Sequence, residues 1–142
     1  MRAFFVAAGV PCVAGLTVGA GALAQDAALG KTEFDANCAV CHGTSGQGDG
    51  PFAQFIKTEV PDLTGLAAAN GGTFPAERVT EIVDGRAEVD AHGPRDMPIW
   101  GSEYNRQAVE YYHEVRRVQD PASIVRSRIE SLVAHIETLQ KP

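Results

Sequence analysis

The sequence predicts an all-α domain, and three observations carry that expectation. Val125, Ile129, Leu132, Ile136 and Leu139 recur at helical offsets near the C-terminus and form one apolar stripe. Residues 74–84, FPAERVTEIVD, have Pro75 near their start and Gly85 just past their end, the asymmetry of a helix. No segment alternates apolar and polar residues as a strand does, and no internal repeat is visible. The 142 residues suit one small domain, and an apolar content of 44% argues against disorder. Aromatics make up only 7%. A small chain with so thin an aromatic core often leans on a covalent or metal staple.

Residues 1–24 read as a cleaved secretory signal. Arg2 is followed by a long uncharged run of Ala, Val, Gly, Leu and Phe that ends in Ala22-Leu23-Ala24, a small-x-small cleavage site. An uncleaved membrane anchor is the rival, since about 20 apolar residues can span a bilayer. The glycines and the Ala-Leu-Ala site speak against it. Lipidation at Cys12 is disfavoured by Pro11, where a small residue would be wanted. The expected mature domain is then 25–142, exported to the periplasm, with no stable membrane span. Losing Arg2 leaves 11 basic against 18 acidic side chains, a net charge of −7. That balance favours a basic docking partner and argues against nucleic acid. Cys12 and Met1 leave with the signal, so Cys38, Cys41 and Met97 become the only sulfur side chains.

The remaining elements follow in order. Residues 26–37 predict a short helix with Gly30 and Phe34 on one face. Residues 43–51, GTSGQGDGP, predict a flexible Gly-rich loop; they lack the ending of a phosphate-binding loop. Residues 61–72 predict turns and short helix. After the 74–84 helix, residues 85–103 predict a Gly/Pro-rich loop holding Met97, and 105–118 a further helix. Asp120-Pro121 breaks the chain before the final helix, which runs through residues 121–140.

Cys38-Ala39-Val40-Cys41-His42 is C-x-x-C-H. Two thiols three residues apart on a helical turn can each add across a haem vinyl group, and the next residue aims its imidazole at the iron. This is the attachment signature of haem c. A thioredoxin-like redox pair would expect a βαβ context, which is absent. A zinc site would need a second ligand pair, and none follows at suitable spacing. A disulfide across so short a loop would stabilise little.

Met97 is the candidate sixth ligand. A thioether is a weak ligand that a stiff loop must hold, and Pro94 and Pro98 fix φ on both sides of it. The other readings are that Met97 is core filler and that His92 binds in its place. His113 and His135 read as surface or packing histidines.

With these residues in view, the chain resembles class I c-type cytochromes of the bacterial mono- and dihaem type. Gly30 and Phe34 before the C-x-x-C-H element, Pro61-Asp62-Leu63, Asp84-Gly85-Arg86, Met97-Pro98-Ile99-Trp100-Gly101 and the last helix carry the resemblance. It implies a small cytochrome c fold, with helices wrapped around one covalent haem c and the first and last helices crossing near Gly30. It implies that the Pro61 carbonyl accepts from His42 Nδ1–H, although an ordinary turn proline explains Pro61 equally well. Trp100 donating to a haem propionate and Arg86 pairing with one are further candidate contacts. Two features depart from the pattern. The family usually has an aromatic where His135 stands, which leaves the packing on Phe34 open. The link 103–121 is also long; Tyr111, Tyr112, Arg116 and Arg117 make it either a docking element or a solvated covering helix.

The expected activity is outer-sphere single-electron transfer to protein redox partners such as a dehydrogenase, a cytochrome complex or a terminal oxidase. The chain would be no enzyme itself, either a free shuttle or a complex subunit. The alternative is a haem enzyme or gas-binding sensor with a displaceable sixth ligand.

Overall fold

A computed structural model describes residues 20–87, 97–115 and 120–142. The described residues form α1 (Ala20–Asn37), α2 (Ala39–His42), α3 (Leu66–Ala69), α4 (Ala76–Asp84), α5 (Trp100–Val115) and α6 (Pro121–Thr138), with 3-10 turns at Ala53–Phe55 and Leu63–Gly65. No strand occurs among the described residues, so the all-α expectation holds. No described helix is long and apolar enough to cross a membrane. Residues 1–19, the bulk of the expected signal, lie outside the described residues.

The helix ends are written locally. Gly85 closes α4 at φ +85°, a conformation that disfavours a side chain, and its N–H reaches the Glu81 and Ile82 carbonyls at 3.0 and 3.2 Å. Asp120 caps α6: its carboxylate accepts from Ala122 N–H at 3.1 Å, and Pro121 takes the first helical position. Two boundaries differ from expectation. The first helix already includes Ala20–Gln25, upstream of residue 26, where alanines and Leu23 favour the helix. The helix expected over 105–118 begins at Trp100, inside the expected loop. Trp100 stacks on Tyr104 one turn later, with ring centroids 5.7 Å apart, and that packing outweighs the poor helix propensity of Gly101.

Among the described residues, α1 and α6 form the most extensive helix crossing. It is centred on Gly30, where an added Cβ would stand 1.8 Å from the Ser131 carbonyl oxygen. Only the absence of a side chain lets the two backbones approach so closely. Beside the crossing, Phe34 meets His135 edge to face at 5.3 Å. His135 is buried, and its imidazole fills the place where the resemblance leads one to look for an aromatic. Phe34, Tyr104 and Leu132 are fully buried, joined by Val79, Val83, Ile129, Val133 and Ile136.

A polar knot ties α5 into this pair. Arg128 on α6 forks onto Glu33 of α1, Nε to Oε1 at 2.9 Å and Nη2 to Oε2 at 2.8 Å, and gives Nη1 to Gln107 of α5 at 2.7 Å. Its guanidinium lies 3.9 Å from the centroid of the Tyr104 ring. Most of the arginine's donors are thereby satisfied at a partly buried position, which is what makes such a pair tolerable.

Candidate cofactor site

The site starts where α1 ends. Cys38 N–H still bonds back to Phe34 at 2.8 Å, so the first thiol stays in register with the core face of α1. One further turn follows, with Cys41 and His42 N–H groups both returning to the Cys38 carbonyl at 3.1 and 2.9 Å. Cys38, Cys41 and His42 therefore share a single short helical turn. Cys38 and His42 are buried, Cys41 is half-buried, and both cysteines are free thiols.

The Gly-rich segment after them is more ordered than a flexible loop. Its N–H groups cap the carbonyls of the cysteine turn: Gly48 to His42 at 2.8 Å, Gly50 to Cys41 at 3.0 Å and Phe52 to Val40 at 2.9 Å. A Cβ on Gly50 would come within 2.6 Å of the Val40 and Cys41 carbonyls, so the wrap needs glycine there. These bonds satisfy acceptors that so short a helix leaves open.

Electrostatics speak against a redox-exchange pair. Burial, then the Glu33 carboxylate and the neighbouring Cys41, push the Cys38 thiol up to about 12. Burial raises Cys41 as well. Reactive redox pairs need the opposite, a thiolate stabilised near neutral pH. His42 is lowered by burial, opposed in part by its bond to Pro61, and so is neutral at physiological pH. Its Nδ1 lies 3.3 Å from the Pro61 carbonyl oxygen. A carbonyl can only accept, so the proton sits on Nδ1 and Nε2 keeps its lone pair for a metal. Two thiols and one imidazole with a free Nε2, on one turn, form a donor set that fits haem c. Among the described residues no group of three or more His, Cys, Asp and Glu is disposed to hold a bare metal ion, so zinc gains nothing here.

The other candidates divide. Met97 is half-buried and packs against the core cluster that contains Cys38, Val79, Val83 and Tyr104, as does Trp100. Arg86 is exposed at the end of α4, where its Nε donates to the Asp84 carboxylate. His92 and Pro94 lie outside the described residues, as do Arg116, Arg117 and the side chains of Tyr112 and His113. Tyr111 is exposed on α5. Gln140, just past α6, bonds to the loop that carries Pro61. No periodicity or motif in the sequence pointed to it, because it is one amide side chain beyond a helix end.

The family model described as Cytochrome c matches residues 27–117, which spans the cysteine turn, Pro61 and Met97. Cytochrome c-554(547) of Halothiobacillus neapolitanus is 49% identical over 45 residues, covering 32% of this chain and 41% of the relative. The chain thus spans less than half the length of that curated relative. No solved structure matches the chain.

Proposed function

The chain belongs to the cytochrome c family, which binds covalent haem c, and we propose that it is an exported single-electron carrier in which His42 and Met97 would hold the haem iron. The observation that carries this reading is the cysteine turn itself: two thiols, then an imidazole whose Nδ1–H is donated to Pro61. Haem c, when bound, supplies one-electron chemistry between ferric and ferrous iron.

Each residue then has a task. Cys38 and Cys41 form the thioether links. His42 keeps Nε2 available, and its bond to the Pro61 carbonyl orients the ring and strengthens it as a donor. Met97, against the same core as Cys38, supplies a neutral sulfur that favours the reduced state over a second imidazole. With His42 and Met97 both holding the iron, substrate would find no open coordination position, and the protein would need little rearrangement when the charge changes. Trp100, on the same core, stands as a candidate donor to a propionate. Arg86 is the other candidate, but its Asp84 pair must open first. The partners fitting an acidic carrier are proteins that present a basic face: a dehydrogenase, a cytochrome complex or a terminal oxidase.

Met97→Ala tests the assignment. The variant should keep covalent haem, show a lower reduction potential, and bind cyanide or carbon monoxide readily where the wild type binds them poorly. If wild-type ferric protein lacks the weak far-red sulfur-to-iron band and its ferrous form takes up carbon monoxide freely, Met97 is not on the iron. The reading as an enzyme or gas sensor then replaces electron transfer.

A further inference from the structure

The loop that presents Pro61 to His42 is clamped from two sides. On one side stands the Gly-rich wrap. Leu63 N–H reaches the Gly46 carbonyl at 2.7 Å, and Gly48 lies so close that a Cβ there would meet the Val60 carbonyl oxygen at 2.3 Å. On the other side stands the C-terminus. The Gln140 side chain accepts from Ala67 N–H at 2.8 Å and donates to the Leu63 carbonyl at 2.8 Å and the Ile136 carbonyl at 2.9 Å. Lys141 N–H adds a bond to the Thr64 carbonyl at 2.9 Å, and its ammonium lies 3.8 Å from Asp62. Asp62 in turn caps the 3-10 turn, accepting from Thr64 N–H at 2.8 Å and from its hydroxyl at 2.6 Å.

One amide thus joins the end of α6 to the segment two residues beyond Pro61. On that segment it binds the Leu63 carbonyl, at the start of the 3-10 turn, and the Ala67 N–H, in α3 just after it. Their spacing is met by an amide because it offers a donor and an acceptor on one rigid plane. The 3.3 Å bond from His42 to Pro61 is long for a hydrogen bond, so a small movement of the loop decides whether it is kept.

We propose that Gln140, supported by Lys141, is a positioning residue for the proximal ligand: it holds the Pro61 carbonyl against His42 and thereby sets the basicity of that imidazole. The inference rests on His42 ligating the iron. It gives the C-terminal residues a role in tuning the cofactor from the far end of the chain.

The test uses the holoprotein and three variants. Gln140→Ala removes the clamp. Gln140→Glu keeps the acceptor for Ala67 and loses the donor to Leu63. Asp120→Ala removes the N-cap of α6 and weakens the fold at the end of that helix far from Gln140. The readouts are reduction potential and exchange of the His42 ring N–H with solvent, followed by NMR. Gln140→Ala should speed that exchange, because the Pro61 carbonyl is then held less firmly against the ring N–H. Its potential should rise, because a less basic imidazole stabilises ferric iron less. Gln140→Glu should fall between, and Asp120→Ala should leave both readouts at wild-type values. Unchanged readouts in Gln140→Ala overturn the proposal, and so do shifts that Asp120→Ala reproduces. If Gln140→Ala yields no holoprotein, Gln140→Glu is judged by the same criteria. A wild-type spectrum without histidine ligation would defeat the underlying electron-carrier reading as well, whereas wild-type ligation with inert Gln140 variants defeats this inference alone.

Discussion

His135 is buried against Phe34, in a place suited to an apolar ring, and the mismatch has a pH signature. Burial, then the nearby Lys31, lower its pKa from 6.5, with Asp35 opposing. Between the unfolded value and the lower folded value, the unfolded chain binds a proton that the native chain refuses. Stability therefore rises with pH across that window and is lost as pH falls below about 6.5. His135→Phe removes the titrating group while keeping an edge-to-face partner for Phe34. Denaturant midpoints of the two holoproteins at about pH 5 and about pH 7.5 check this. The variant should lose less stability on acidification than the wild type; equal losses would mean that the acid sensitivity lies elsewhere.

Between elements, the crossing of α1 and α6 sets two effects against each other at Gly30. Alanine is a better helix former than glycine by about 1 kcal/mol. A methyl placed 1.8 Å from the Ser131 carbonyl oxygen must force the helices apart, and overpacking of this kind costs about 3 kcal/mol. The clash should win, because separation also loosens the Phe34–His135 contact and the Glu33–Arg128 fork. Gly30→Ala is therefore expected to lower stability by about 2 kcal/mol net, read as a fall in denaturant midpoint at unchanged slope. A midpoint at or above wild type would mean that the helices separate without cost.

For the whole molecule, the proposed cleavage after Ala24 removes Ala20–Ala24 from α1 and spares Gly30, Glu33 and Phe34, so the crossing with α6 survives export. Protein recovered from the periplasm should begin at Gln25. A sequence beginning at Met1 would favour the membrane anchor. The same mature protein, at a net charge of −7, should exchange electrons with a basic partner more slowly as ionic strength rises. A rate indifferent to salt would reduce the acidic surface to a solubility device.

The sequence by itself determined the attachment chemistry and the helical class. Cys38, Cys41 and His42 lie within one turn, so their geometry follows from adjacent residues. Gly85 and Asp120 close and open helices through bonds that span at most four residues. Tertiary structure alone decided the rest. Pro61 could have been any turn proline until its carbonyl came to lie beside His42, 19 residues away. Glu33 and Arg128 are 95 residues apart, and Gln140 lies 73 and 77 residues from the groups it binds in the Pro61 loop. Trp100 became helical because Tyr104 and the core held it. A charge, an amide or a carbonyl offers the same donors and acceptors wherever it stands, so nothing local distinguishes the one that finds a partner. Close packing of α1 on α6 makes that choice, and it depends on the whole chain.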